Sequence, residues 1–544
     1  MIGKEDQAAK TIGRLLVGDG LIDEAMLTYA MKVQTVSRER LGDTLLRLRF
    51  VTDRDIASVV ARQAGLEFDP MMVVSSTPEA LAQIPSAFAQ KHGLLPLAIE
   101  DGHLVVACVD PYARNALDRV SRFTSYPLRL VVAPEARLRW EVQRLYQLAE
   151  RHIDQEIERI SQSAASGQEI VAERLMELLV SSAIEYDGTD IHLNPTERAT
   201  LVSFRMDGVL QLRYTLPASV HGRLISAFKV AAGMDIAESH RPSDGHMSFT
   251  YLQEKYDLRI STIPSVVGEN MVIRVLSGSH EFRSLEDLGL TPEQIERTTD
   301  MSHSPHGIVL VSGPTGSGKT TTLYAVMRTI NAREKNILTI EDPVEYTMPL
   351  VQQIEVNEKA GITFTSSIRS FLRQDPDIML IGEIRDEETA VLSMRAALTG
   401  HLVFSTVHTN DAVGAVVRLR DLGVEDYIIA STIRGVVSQR LLRLLCPHCK
   451  RPSSLEEPWN DIPPEKIFEH VGCPQCRETG YLGRTAIAEV LQMDQSLLHL
   501  IGEGASISEI EMAAKGHGMR TLSDAGQDLV ADGLTDIDEF KRVL

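Results

Sequence analysis

The sequence predicts an α/β chain of several domains, with a phosphate-loop nucleotide domain in its C-terminal half. Three observations predict it. The apolar run Ile308-Val309-Leu310-Val311 leads into Gly313-Pro314-Thr315-Gly316-Ser317-Gly318-Lys319-Thr320, and Thr321 to Val326 continues as a helix, the strand, loop and helix order that a phosphate cradle needs. Three more apolar runs, Ile337–Ile340, Ile378–Ile381 and Leu402–Val407, lead into acids or a histidine, as strands do whose carboxyl ends face a ligand. Upstream, shorter apolar runs alternate with polar residues around turns such as Asp207-Gly208, which predicts antiparallel strands mixed with helices.

Size and composition bound the rest. A chain of 544 residues exceeds one core, so about three to five domains are expected. An apolar fraction of 43% fits folded domains. The net charge of −20 and a pI near 5.3 exclude a mainly electrostatic nucleic-acid binder. Met1 to Lys10 is polar and holds no apolar h-region, and no long uncharged apolar run follows. A cytoplasmic protein that meets the membrane through a partner is the expectation.

In chain order, residues 1–75 read as a tandem helical module. Ile12-Gly13 with Leu16-Val17 recurs as Leu41-Gly42 with Leu45-Leu46, and Gln34 as Gln63, at an offset of 29, so each unit's apolar face is satisfied by its neighbour. Residues 76–167 read as a small α/β region and linker. Strands are expected at Leu94–Ile99, Leu104–Ala107 and Leu128–Val132, a helix at Glu141–Ile160, and a flexible Ser/Ala/Gly linker at Ser161–Gly167. Cys108 falls in an apolar stretch and reads as a buried strand residue. Residues 168–278 read as an α+β domain, opening with a helix at Val171–Val180 and closing with strands at Asp257–Ile263 and Asn270–Leu276. Residues 279–544 form the α/β nucleotide domain, ending in short helices such as Ile507–Ala514 and Asp536–Val543.

Within that last domain the chemistry is local. Backbone N–H groups of Gly313 to Thr320, with Thr321 adjoining, wrap a di- or triphosphate; Lys319 meets the β and γ phosphates and Thr320 offers its hydroxyl to Mg²⁺. Glu341, at the end of an apolar strand in Glu341-Asp342-Pro343-Val344-Glu345-Tyr346, is the first choice to hold water for in-line attack, and Glu345 the second. Glu383, in Ile381-Gly382-Glu383-Ile384-Arg385-Asp386, fits the second acidic motif of phosphate-loop ATPases and would orient a metal-bound water. His408 lies on the same expected edge and can meet the γ-phosphate, while His401 divides evenly between shaping the loop and a structural role. Arg369 and Arg373 stand four apart, so a helix sets them on one face, either toward developing phosphate charge or toward solvent.

Cys446-x-x-Cys449 and Cys473-x-x-Cys476 are two thiolate pairs. Four sulfurs fill a tetrahedral shell, which predicts a closed structural zinc site, with an iron–sulfur centre as the alternative.

With these residues on the page, nearly the whole chain resembles the secretion ATPase superfamily that includes the type II secretion E proteins and the type IV pilus assembly ATPases. The carriers are Gly313–Thr320, the acidic box Thr339–Tyr346, Ile381–Asp386, and the histidine box from Gly400-His401 to Thr406-Val407-His408-Thr409-Asn410. Thr189-Asp190-Ile191-His192, Arg205-Met206-Asp207-Gly208 and Met234–Glu238 resemble the family's second N-terminal domain. The resemblance implies a RecA-like ATPase domain and roles near the nucleotide for Arg259, Arg274, Arg369 and Arg373; His240 and His246 stand where the family often has Arg. Residues 1–70 resemble a tandem module that binds cyclic di-GMP in some members, but Thr11 precedes Ile12-Gly13 and Arg49 replaces the glycine found at Gly20. Docking to a membrane partner is therefore expected there, with cyclic di-GMP as the alternative. Tyr481-Leu482-Gly483-Arg484 after the cysteines resembles the assembly and secretion branches more than the retraction branch.

The implied function is a homohexameric ATPase that moves an inner-membrane platform to extrude pseudopilins, using ATP, Mg²⁺ and Zn²⁺. Type IV pilus assembly uses the same residues and stays open beside it. A nucleic-acid translocase and a nucleotide-gated scaffold without turnover are the readings from other classes; no nucleic-acid partner is expected.

Overall fold

The structure is a computed structural model that describes the chain except residues 1–11, 71–73, 75, 151–152, 253, 278–283 and 331–333. Met1–Lys10, Thr11 and the expected domain limits at 75 and 278–279 lie outside the described residues. The chain divides into two compact units, Met1–Gly42 with Val51–Glu281 and Asp43–Phe50 with Phe282–Leu544.

In the N-terminal part, short helices span 12–18, Glu24–Ser37, Leu41–Arg47 and Asp53–Ala64. The repeat positions Leu16 and Leu45 are each fully buried. Thr52 and Asp55 form a capping box that starts the helix Asp53–Ala64, satisfying N–H groups that a helix end leaves unpaired.

A four-stranded sheet follows, made of β1 (Glu67–Phe68), β2 (Leu94–Glu100), β3 (His103–Cys108) and β4 (Leu128–Val132) in the order β1-β4-β3-β2. β2 and β3 pair as an antiparallel hairpin with Leu94 opposite Cys108, and Cys108 is buried as expected.

Two helices come next, Glu135–Glu150 and Ile153–Ala165. The second overturns the linker reading, because Ser161 to Ala165 are helical and the chain turns only at Gly167, with φ 79. Ile153, Ile157, Ile160 and Ala164 share one face of this helix and pack into the core of the six-stranded sheet described next. Burial at helical spacing outweighs a composition that favours a linker.

That sheet is wholly antiparallel. Its strands are β5 (Gly188–Pro195), β6 (Ala199–Met206), β7 (Val209–Pro217), β8 (Ser243–Tyr251), β9 (Glu254–Pro264) and β10 (Glu269–Ser277), in the order β7-β6-β5-β10-β9-β8. Leu258, Ile260 and Ile273 face the helices Ala172–Glu185 and Ala218–Ala231, while Arg259 and Arg274 point to the other, exposed side. Such alternation is what one covered face demands.

The second unit is built on seven strands: β11 (Gly307–Ser312), β12 (Ile337–Glu341), β13 (Gln352–Glu355), β14 (Ile378–Ile381), β15 (Leu402–Val407), β16 (Ile433–Leu445) and β19 (Tyr481–Gln492). Between the last two, β17 (Arg451–Pro452) and β18 (Phe468–Glu469) pair as a small ribbon. The main order is β13-β12-β14-β15-β11-β16-β19, all parallel except β19. Ile308 and Leu310 enter the core on one face, Val309 and Val311 the core on the other. Burial on both faces explains the unbroken apolar runs.

Candidate active site and metal centre

Register brings four strand ends together. Ile340 lies opposite Ile381, Ile381 opposite Ser405, and Ser312 opposite Val407, so Glu341, Glu383, His408 and Gly313 all emerge at one edge. This is the edge where parallel sheets bind ligands.

The phosphate loop runs from β11 into the helix Lys319–Thr329, with Gly318 in the left-handed region at φ 87. A side chain at Gly313 would place its Cβ 2.5 Å from the Ser317 hydroxyl and 2.6 Å from the Gln439 carbonyl, so the backbone there must come too close for anything but glycine. The Gln439 side chain on β16 fastens the loop: its Nε2 donates to the Ser317 carbonyl at 2.6 Å and its Oε1 accepts from the Thr322 hydroxyl at 2.6 Å. Pro314, Thr315, Gly316, Thr320 and Thr321 are exposed. Lys319 donates to the carbonyls of Gly313 at 2.9 Å and Pro314 at 3.1 Å.

Charges gather beside the loop. Burial draws the Lys319 ammonium below its ordinary value, Glu383 opposing and Arg440 adding to the shift. The Glu383 carboxylate meets Arg385 Nη2 at 2.7 Å and His408 Nε2 at 3.5 Å. Burial, then the charge of Lys319, holds His408 below its ordinary value, with Glu383 pulling the other way. β15 secures the turn that carries Glu383: Thr406 donates to the Gly382 carbonyl at 2.8 Å and Ile384 N–H to the Thr406 carbonyl at 2.9 Å.

Glu341 sits differently. It is only 4% exposed, and its carboxylate accepts from Thr339 Oγ1 at 2.6 Å, Gln353 Nε2 at 3.2 Å and the Tyr324 hydroxyl. Three donors satisfy a buried charge that would otherwise be costly. Glu345 is exposed.

The arginines are placed unit by unit. Arg369 lies in the last turn of its helix, Phe364–Phe371, and pairs with Glu388. Arg373 lies past that helix, contrary to the shared-face expectation, and donates back to the Arg369 carbonyl at 2.8 Å. Past Phe371 the N–H groups of Arg373 and Gln374 reach back only three residues, to Ser370 and Phe371, and Asp375, with φ 51, and Pro376 bar any continuation. Arg259 and Arg274 belong to the first unit, directly opposite each other on β9 and β10; Arg274 Nε reaches Asp190 at 3.1 Å. His401 caps a helix end, its Nδ1 lying 2.9 Å from the Ala396 carbonyl, which favours its structural reading.

The four cysteine sulfurs lie within 4.8 Å of one another. Cys446 and Cys473 are 3.8 Å apart, Cys449 and Cys476 3.8 Å, and Cys473 and Cys476 3.7 Å. A tetrahedron with metal–sulfur bonds of about 2.3 Å has edges of about 3.8 Å, so the donor set fits one ion. The N–H groups of Gly472 and Gly480 point at Cys449 and Cys476 from 3.4 and 3.2 Å, as suits thiolates. Nearby, Tyr481 donates to Asp536 at 2.8 Å and Arg443 grips Glu539 at 2.7 Å, tying the module to the last helix, Ile537–Val543.

Sequence reasoning missed Gln439, Tyr324 and Gln353. Each acts across a strand or helix contact, and no motif spacing marks it.

Fold and site define a phosphate-loop ATPase. The type II/IV secretion system protein family matches residues 164–542, and an MshEN domain matches residues 64–152. The chain belongs to the type II/IV secretion system protein family and is an ATP-hydrolysing enzyme. It is 37% identical to the type IV pilus assembly ATPase PilB of Thermus thermophilus over 92% of this chain, though it spans only 58% of that protein's length. It is 36% identical to the type II secretion system protein E of Xanthomonas campestris pv. campestris over 99% of both chains. In fold it is similar to the Legionella pneumophila ATPase DotB, with a TM-score of 0.52 and 19% identity over 68% of this chain and 95% of that one. Among the described residues, no helix is long and apolar enough to cross a membrane.

Proposed function

We propose that the chain is the cytoplasmic motor of a type II secretion system, a homohexamer that hydrolyses ATP to drive an inner-membrane platform and extrude pseudopilins. The observation that carries the chemistry is the gathering of Lys319, Glu383 and His408 beside the phosphate loop. Gly313 to Thr321 cradle the phosphates, Lys319 draws charge from the β and γ groups, and Thr320 turns its hydroxyl to Mg²⁺, which neutralises the phosphate oxygens when bound. Glu383 orients the metal-side water and His408 senses the γ-phosphate. Glu341 is the acid for the attacking water, which reaches it by exchange with one of its donors. For Arg259, Arg274, Arg369 and Arg373, a part in balancing phosphate charge rests on motif resemblance.

The four cysteines hold structural Zn²⁺ in this reading. The N-terminal region docks to the platform, with cyclic di-GMP as the alternative ligand. Hydrolysis becomes movement because phosphate loss changes contacts between domains.

Type IV pilus assembly is the second reading, favoured by the equally similar pilus relative. Deleting the gene separates the two: loss of secreted proteins with pili intact supports the first, loss of pili the second. The enzymatic core is tested by phosphate release from purified hexamer. Lys319→Ala should lose tight ATP binding, while Glu341→Gln keeps binding and loses turnover; equal loss of binding in both would sink the assignment of Glu341.

A further inference from the structure

We infer that Tyr324 is a positioning residue for turnover, carrying Glu341 on the helix that grips the phosphates. This rests on the reading of Glu341 as the acid that holds the attacking water. Lys319 opens that helix and Thr320 follows, so Tyr324, four residues after Thr320, lies one turn along the same face. Its ring is 1% exposed, in the core beneath the phosphate loop.

The Tyr324 hydroxyl donates to one oxygen of Glu341, and the Glu345 main chain also hydrogen-bonds it. The Tyr324 ring meets Tyr346 edge-on, centroids 4.4 Å apart. One side chain thus touches Glu341, Glu345 and Tyr346 of the acidic box. Burial, then the charge of Glu341, pushes the Tyr324 phenol far above its ordinary range, so it stays protonated and remains a donor.

The other donors differ in origin. Thr339 belongs to the same strand as Glu341, and Gln353 to its neighbour β13. Tyr324 alone among these three comes from the phosphate-binding helix. A shift of that helix on binding or losing the γ-phosphate therefore reaches the acid through one hydroxyl. The carboxylate is thus tied to the phosphate-binding helix as well as to its own strand.

The test is Tyr324→Phe in the full chain, which keeps the ring and removes the hydroxyl. A hydrogen bond to a charged group sets the scale, and kcat should fall about 10- to 100-fold. KM and ATP affinity should stay unchanged, since Lys319 and the loop are untouched. Thr339→Val serves as a second variant should Tyr324→Phe fold poorly: it removes a donor without touching the helix, and a smaller loss of kcat is expected. A residue that merely filled space would give wild-type kcat in Tyr324→Phe at lowered thermal stability, and that result overturns the inference. So does a rise in KM that matches the fall in kcat. If Glu341→Gln retains wild-type turnover, the acid assignment falls, and this role with it. If Glu341→Gln is inactive while Tyr324→Phe keeps full kcat, only the positioning role falls.

Discussion

Gln439 clasps the phosphate loop from the adjacent strand, its amide nitrogen 2.6 Å from the Ser317 carbonyl and its amide oxygen 2.6 Å from the Thr322 hydroxyl. A loop of glycines has many conformations to lose on binding. The clasp removes most of them before the ligand arrives.

Replacing Gln439 with Ala should therefore weaken ATP binding about 10-fold, the worth of one or two net hydrogen bonds. Titration with a fluorescent nucleotide measures it. Unchanged affinity would show that the loop holds its shape without this side chain.

Glu383→Gln should leave nucleotide binding within a few-fold of wild type and lower kcat by about 100-fold or more, a typical cost of losing a positioned acid or base. Single-turnover kinetics separates the two effects. A variant that cannot bind ATP would mean that Glu383 serves the loop rather than the reaction.

His408 gives a pH dependence whose sign is fixed. Burial and Lys319 favour the neutral ring, so its folded-state value lies below that of the unfolded chain. Between those values the unfolded chain binds more protons. The contribution is full above about pH 6.5 and is lost as pH falls through the folded value. The side chain is 44% exposed, so the effect is small. Wild type should lose more melting temperature between neutral and mildly acidic pH than His408→Gln does. Parallel melting curves against pH would remove this account.

Purified protein should carry about one zinc ion per chain. Stripping it with a chelator should release four reactive thiols and lower the melting temperature. Metal-free protein of undiminished stability would leave the sulfurs without that role.

Ile157→Ala should destabilise the six-stranded domain by about 2–4 kcal/mol, the cost of emptying a buried isoleucine site. Denaturant unfolding tests it. A change under 0.5 kcal/mol, as expected of an exposed position, would speak against the packing of the helix Ile153–Ala165 into that core.

The same helix shows where reading the sequence failed. Ser161 to Gly167 look like a linker by composition, whereas Ile153, Ile157, Ile160 and Ala164 already carried helical spacing into that segment. The phosphate loop was legible because its determinants are contiguous: an apolar strand, glycines at fixed steps and a helix start. The cysteine cluster was legible because metal spacing is local to each pair. What surrounds Glu341 was not, since Tyr324 and Gln353 reach it from other elements. Arg373 was misplaced because the helix closes at Phe371 into tighter turns, the N–H groups of Arg373 and Gln374 reaching back only three residues to Ser370 and Phe371.

β16 runs from Ile433 to Leu445, its register against β19 shifting between Arg443 and Leu445, with Gln439 midway and Cys446 just beyond its end. Seven residues of extended chain make a stiff tie about 23 Å long. The cysteine cluster and the clasp on the phosphate loop therefore share one strand, so a distortion at the sulfurs has a direct covalent route to the residue that shapes the nucleotide cradle.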